Sequence, residues 1–203
     1  DEKAIEFSNS AVGKETAKLL VKKLSTMGFY KHVGDKRKIE KLQKEASESL
    51  NLFNSETKRV VDISLDESTE LDPAEIISKF RPTLNLAGCR LGPVQSHKTE
   101  DNILILTIDE SRFVIRTNNE KDLDKARQET FERILAAVNY FLKRSNETDV
   151  LLHGLRRDSG YQVILITDDM WLELCASQLL TRSKLPMPPQ DIRPTLKYEQ
   201  ETK

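Results

Sequence analysis

A chain of 203 residues, 37% hydrophobic and 32% charged, is long enough to bury a sizeable core without staples. Its 32 Lys+Arg balance 33 Asp+Glu, and the net charge of -1 argues against both a disordered polyelectrolyte and a chain-wide basic footprint for nucleic acid. Two cysteines, Cys89 and Cys175, make no disulfide framework, and no run of 18 apolar residues is present to form a membrane span.

Residues 1–13 are polar with scattered apolar positions and are expected to form an N-terminal arm. From Lys14 to Met27, Ala17, Leu20, Val21, Leu24 and Met27 recur at three-and-four spacing, which predicts an amphipathic helix. Gly28 stands where a helix end favours a left-handed residue, and Phe29, Tyr30 and Val33 follow as an apolar plug. Ile39, Leu42, Ala46 and Leu50 predict a second helix over Lys36 to Leu50, with Lys and Glu interleaved on its outer face. Arg59 to Leu65 reads as a strand.

Asp72 before Pro73 is a cap followed by a first-turn proline, so a short helix is predicted over Pro73 to Phe80, stopped by Pro82. Cys89 to His97 is expected to be an edge strand, because Pro93 cannot serve a central ladder. Asn102 to Ile108 is apolar almost throughout and reads as a central strand, with Phe113 to Thr117 as its hairpin partner. A long helix follows over Lys121 to Arg144, with Asn118 or Asn119 as its expected cap.

Val150 to Leu155 and Tyr161 to Thr167 form a second hairpin, whose turn takes Gly160 in a positive-φ conformation. Thr167 should cap the last helix, with Asp168 and Asp169 favoured by its positive N-terminal end. After Leu185 the chain turns to Pro186-Met-Pro-Pro189 and Pro194, an extended, proline-rich tail.

The histidines His32, His97 and His153 lie far apart and fit no zinc spacing, so no metal site is expected. No dinucleotide fingerprint, phosphate loop or nucleophile elbow occurs, so no cofactor and no catalytic constellation are expected. The candidate binding residues are Phe29 and Tyr30, as a stacking surface; Arg156 and Arg157, as an anion receptor; and His153 with Asp168 and Asp169. Each also has a structural reading. The aromatics would cap the core, the arginines face solvent at a hairpin end, His153 sits satisfied in a strand, and the aspartates occupy a helix first turn. Asp109 and Glu110 would join Asp168 and Asp169 in a carboxylate cluster if the two hairpins aligned.

Two helices, a strand, a short helix and hairpins around a long helix, with Leu24, Met27, Phe29, Ile39 and Phe53 among the apolar positions, resemble small α+β proteins of bacterial type that have no assigned function. That resemblance implies one compact domain and carries no mechanism.

The expected fold is α+β. It has one mostly antiparallel sheet of five to six strands, helices on one face and an N-terminal helical pair at an edge. The expected organisation is an arm over residues 1–13, a single domain over 14–181 and a proline-rich tail over 182–203. The expected function is a non-enzymatic protein-interaction module, with the edge strand or the tail as the partner site. The alternative is a small-molecule binder or metal-assisted hydrolase near His153, Asp168 and Asp169. A weak nucleic-acid binder using Lys36 to Lys44 is the third reading. No signal-peptide pattern is visible, and a cytoplasmic setting is expected.

Overall fold

The computed structural model describes residues 10–64, 71–117, 122–145, 149–157 and 160–195. The described residues form five α-helices and six strands, and the fold is α+β. The six strands do not make one sheet. They form two antiparallel sheets of three strands each, in separate compact units: Asp1–Asp66 with Asp149–Pro188, and Glu67–Thr148 with Pro189–Lys203. The single large sheet is therefore corrected. Hairpin patterns specify local pairing well, but say nothing about which third strand joins each pair.

The first unit opens with α1 (Ala11–Thr26), which starts three residues earlier than its apolar stripe suggests. The Ser10 hydroxyl accepts from the Gly13 amide at 3.0 Å and sets that start. At its other end Gly28 takes φ 83. Its N–H donates to Ser25 O, and the Phe29 N–H donates to Leu24 O, so two terminal carbonyls of the helix are satisfied. α2 (Lys36–Ser49) is capped by Asp35, which accepts from the Arg37 and Lys38 amides. β1 (Val60–Ser64), β5 (Val150–Arg157) and β6 (Gly160–Thr167) form the sheet, with β6 in the centre. Gly160 opens β6 opposite Arg157 with φ 144, a conformation that favours glycine. α5 (Asp168–Ala176) follows directly, and a short 3-10 turn, Arg182–Lys184, precedes the tail.

The core of this unit gathers Leu20, Val21 and Leu24 of α1, Leu42 and Ala46 of α2, Ile164 and Ile166 of β6, and Met170 and Leu174 of α5. Phe29, Tyr30 and Val33 belong to the same cluster. Met27, at the end of the α1 stripe, stays largely outside at 38% exposure.

The second unit contains α3 (Pro73–Leu86), β2 (Val94–Lys98), β3 (Leu104–Ile108), β4 (Ser111–Arg116) and α4 (Leu123–Leu142). Asp72 caps α3 as expected, accepting from the Ala74 amide at 3.0 Å. The helix does not stop at Pro82. It runs one turn further, because Thr83 and Leu84 beyond the proline are buried along with Ile76, Ile77 and Phe80. That burial offsets the one backbone bond the proline removes.

β3 is the central strand of the order β2-β3-β4, and β2 is an edge strand beginning just after Pro93. The cap of α4 is Asp122, which accepts from Asp124 and Lys125 amides; Asn118 and Asn119 lie outside the described residues. α4 packs on β4, and α3 packs beside β2 and against α4. Phe113, Ile115, Phe131, Ile134 and Val138 have no exposed surface.

Cys89 is buried, Cys175 is half-buried, and both are free thiols. No helix among the described residues is long and apolar enough to cross a membrane.

Candidate functional site

Of the seven candidate residues, His153 and Asp168 come together in the first unit, at the junction of β5, α5 and the chain after Leu185, with Asp169 next in the helix. His153 stands on β5 opposite Ile164 of β6, and it is 1% exposed. Trp171 of α5 stacks over its ring, with centroids 6.3 Å apart and planes at 22°. Asp168 reaches His153 electrostatically, and Asp169 follows it; both are exposed in the first turn of α5.

The proline-rich tail closes this site. The Trp171 indole N–H donates to Pro186 O at 2.9 Å. The Met187 N–H donates to Gly154 O at 2.7 Å, which adds an antiparallel bridge to the edge of β5. Neither nitrogen of His153 has a hydrogen-bond partner. Burial pushes its pKa down to about 4, against the opposing pull of Asp168 and of the nearby Met187 backbone. The Met187 backbone favours the charged ring without closing a hydrogen bond to either nitrogen. His153 is thus a neutral ring at ordinary pH. A general base works best with a pKa near the operating pH, and this one is tuned well below it.

Thr167 holds α5 in place, its hydroxyl accepting from the Met170 amide at 3.1 Å. Thr167→Ala should cost about 1 kcal/mol in chemical denaturation, the usual value of such a cap. Asp168 and Asp169 complement the same helix end. Among the described residues, no group of three or more His, Cys, Asp or Glu could hold a metal ion. Asp109, of the suggested carboxylate cluster, serves its own turn at φ 53, and its carboxylate lies where a Cβ on Gly92 would be.

The other four candidates sit apart from His153. Arg156 and Arg157 are exposed, three and four residues further along β5, about 10 and 13 Å away at the usual strand rise. Arg157 donates to Gln162 Oε1 at 2.6 Å, and Gln162 in turn donates to Asp62 Oδ1 at 2.8 Å. Phe29 is fully buried and Tyr30 is 3% exposed; their rings meet edge to face at 5.2 Å. Burial pushes the Tyr30 phenol up to about 12.

The main buried polar group of this unit is one that sequence patterns pass over. Arg59 is 1% exposed. Its guanidinium donates to Phe29 O at 2.8 Å, Leu165 O at 2.8 Å and Gly28 O at 3.0 Å. It therefore ties the end of α1 to the central strand. A basic residue just before a strand reads as an ordinary exposed charge, and no sequence signal marks this one.

In the second unit the edge of β2 is notable. Pro93 O accepts from the Asp109 amide, and the Thr99 amide donates to Ile103 O. The odd-numbered residues of this strand therefore face β3, and Val94, Ser96 and Lys98 direct their backbone groups outward. Among the described residues no backbone hydrogen bond reaches Val94 or Ser96 on that outer edge. The opposite edge of the same sheet is taken, because the Thr195 N–H donates to Arg112 O at 2.8 Å. Beside the open edge lies a groove of about 290 Å³. Leu71, Pro73 and Leu104 form its apolar wall, and Asp72, Ser96 and Lys98 its polar one.

Three lysines of α2 face glutamates. Lys38 pairs with Glu56, Lys41 with Glu45 and Lys44 with Glu48, at 3.2, 3.6 and 4.0 Å. Compared with protein-family models, curated proteins and solved structures, the chain matches none.

Proposed function

We propose that this protein is a non-enzymatic interaction module that takes an extended segment of a partner protein on the open edge of β2. The observation that carries this reading is the outward pair of backbone sets at Val94 and Ser96 beside a groove. Strand addition uses such an edge for affinity and a neighbouring pocket for selectivity. At about 290 Å³ the groove is at the lower limit of small-molecule sites, which run from roughly 300 to 1,000 Å³. An open groove of that size suits an apolar side chain projecting from the added strand.

The charged residue at the end of β2 and the proline before it also guard an edge against indiscriminate pairing. A partner must then supply the side chain that fits between Leu71 and Leu104. The alternative, a small-molecule or hydrolytic site at His153, Asp168 and Asp169, draws on the unpartnered ring nitrogens of His153, but that ring is buried beneath Trp171.

The test is a peptide-display selection against the full chain, followed by NMR titration with an enriched peptide. The amides of Val94 and Ser96 should shift first. Ser96→Pro removes an outward donor at a position an edge strand tolerates, and should weaken binding by about tenfold or more. Ser96→Ala removes only the hydroxyl bond to Asp72 and should bind like the native chain. Peptides that bind equally well to Ser96→Pro, or a selection that enriches none, would defeat the reading.

A further inference from the structure

Buried polar atoms are nearly always hydrogen-bonded, and a group that is not calls for an explanation. His153 has two such atoms on one ring. The cover over that ring is held by two hydrogen bonds, both made to its immediate neighbours. Trp171, which stacks on it, holds Pro186 O; Gly154, the next residue in the strand, holds the Met187 N–H. The remaining surroundings are simple. Ile164 faces the ring from β6, the Pro186–Met187 strap carries no ionisable side chain, and α5 contributes Asp168. The 3-10 turn packed against β5 carries Arg182 and Lys184, both exposed.

We propose that His153 is an acid-operated latch: protonation of its ring releases the Pro186–Met187 strap, uncovering the edge of β5 at Gly154 and the face of Trp171. This inference is independent of the β2 edge and survives its failure.

The physical argument is one of hydration. A neutral imidazole tolerates a dry, apolar seat at the cost of its two missing hydrogen bonds. An imidazolium there needs water or a full set of acceptors. Asp168 and the Met187 backbone each favour the charged ring, yet burial outweighs both. Opening the strap admits water at the loss of only two hydrogen bonds, whereas opening the sheet would sacrifice the whole β5–β6 ladder.

The sign follows from linkage. The closed state holds the ring near 4, while an open, hydrated ring titrates near its ordinary 6.5. The open state therefore binds more protons between those values. Closure is complete above 6.5, weakens as pH falls toward 4, and changes no further below that. One proton per opening makes the opening constant rise by up to tenfold per pH unit, about 300-fold across the window.

Trp171 is the single tryptophan of the chain, so its fluorescence reports directly on the strap. The experiment follows Trp171 emission and the exchange of the Met187 amide from pH 8 to 4 on the full chain, corrected for intrinsic exchange. The expected result is a red shift of Trp171 and a Met187 opening constant that climbs by about tenfold per unit below roughly pH 6.5, while the central β6 amides stay protected. His153→Phe should abolish the acid response. His153→Gln, which stays polar but does not titrate, provides the same control if the Phe variant folds poorly. The proposal is overturned if Met187 opening ignores pH, if the response persists in both variants, or if β6 opens in step with the strap.

Discussion

Replacing Arg59 with Met should remove roughly 3–5 kcal/mol of stability, a large part of the 5–15 kcal/mol typical of a native protein. Methionine fills much of the volume and keeps the apolar stem, so packing is nearly conserved. What is lost is a set of donors. Phe29 O, Leu165 O and Gly28 O each accept from the guanidinium at 2.8–3.0 Å; without it Phe29 O and Leu165 O become buried carbonyls short of a partner, while Gly28 O keeps the Lys31 N–H. Leaving one such group unsatisfied costs about 1–3 kcal/mol. Although burial lowers the Arg59 pKa to about 10, the group remains a cation at neutral pH, beside the electronegative end of α1.

Arg59→Lys separates charge from geometry. An ammonium keeps the cation but cannot span three carbonyls arranged for a planar fork, so most of the loss should remain. Urea denaturation of the three proteins decides the matter. If Arg59→Met costs less than about 1 kcal/mol, water replaces the guanidinium freely and the tie between α1 and β6 is incidental.

Phe113→Ala should cost about as much in the second unit, again roughly 3–5 kcal/mol. Phe113 has no exposed surface, and its ring meets Tyr140 and Phe141 of α4 edge-on, with centroids 5.5 and 6.2 Å away. Truncation loses the transfer energy of the ring, leaves a cavity between sheet and helix, and removes two aromatic contacts worth about 0.5–1.5 kcal/mol each beyond area. Phe113→Leu keeps most of the volume and should cost distinctly less. Amide exchange in β3 and β4 gives the local readout. Equal effects for Ala and Leu would show that the specific ring geometry matters more than cavity volume.

The elements of this fold were largely legible, and their assembly was not. Apolar spacing marked α1 and α2, Asp72 and Thr167 marked two helix starts, and the runs at 150–155 and 161–167 marked strands buried on both faces. All of those signals act within a few residues. The partner of β1 is β6, with Val60 opposite Ile164, and nothing near Val60 points across that interval. Pro82 misled for a related reason, since a local stop signal lost to the tertiary burial of Leu84.

The candidate residues show the same division. His153 stood out as a polar residue in an apolar strand, and Asp168 came with it through the adjoining helix start. The cover came from Pro186 and Met187, which composition marked only as extended chain. Arg59 carried no mark at all, because its burial depends on three carbonyls contributed by α1's end and by β6.

The pairing of Val60 with Ile164 also has a consequence for biogenesis. Residues 67–148, the larger part of the second unit, interrupt the first unit in the chain. During synthesis at roughly 5–20 residues per second, β1 leaves the ribosome about 5–20 seconds before its neighbouring strand β6 is made. In that interval Val60 and Ile63 lack the cover of β6 while α3, β2, β3, β4 and α4 emerge and acquire their own contacts. The helices and sheet of the second unit can thus gather co-translationally, with the segment from Pro189 added last, whereas the first unit must wait for β5 and β6. Slow translation across 67–148 would lengthen the exposure of β1 and the demand on chaperones, without altering the finished protein.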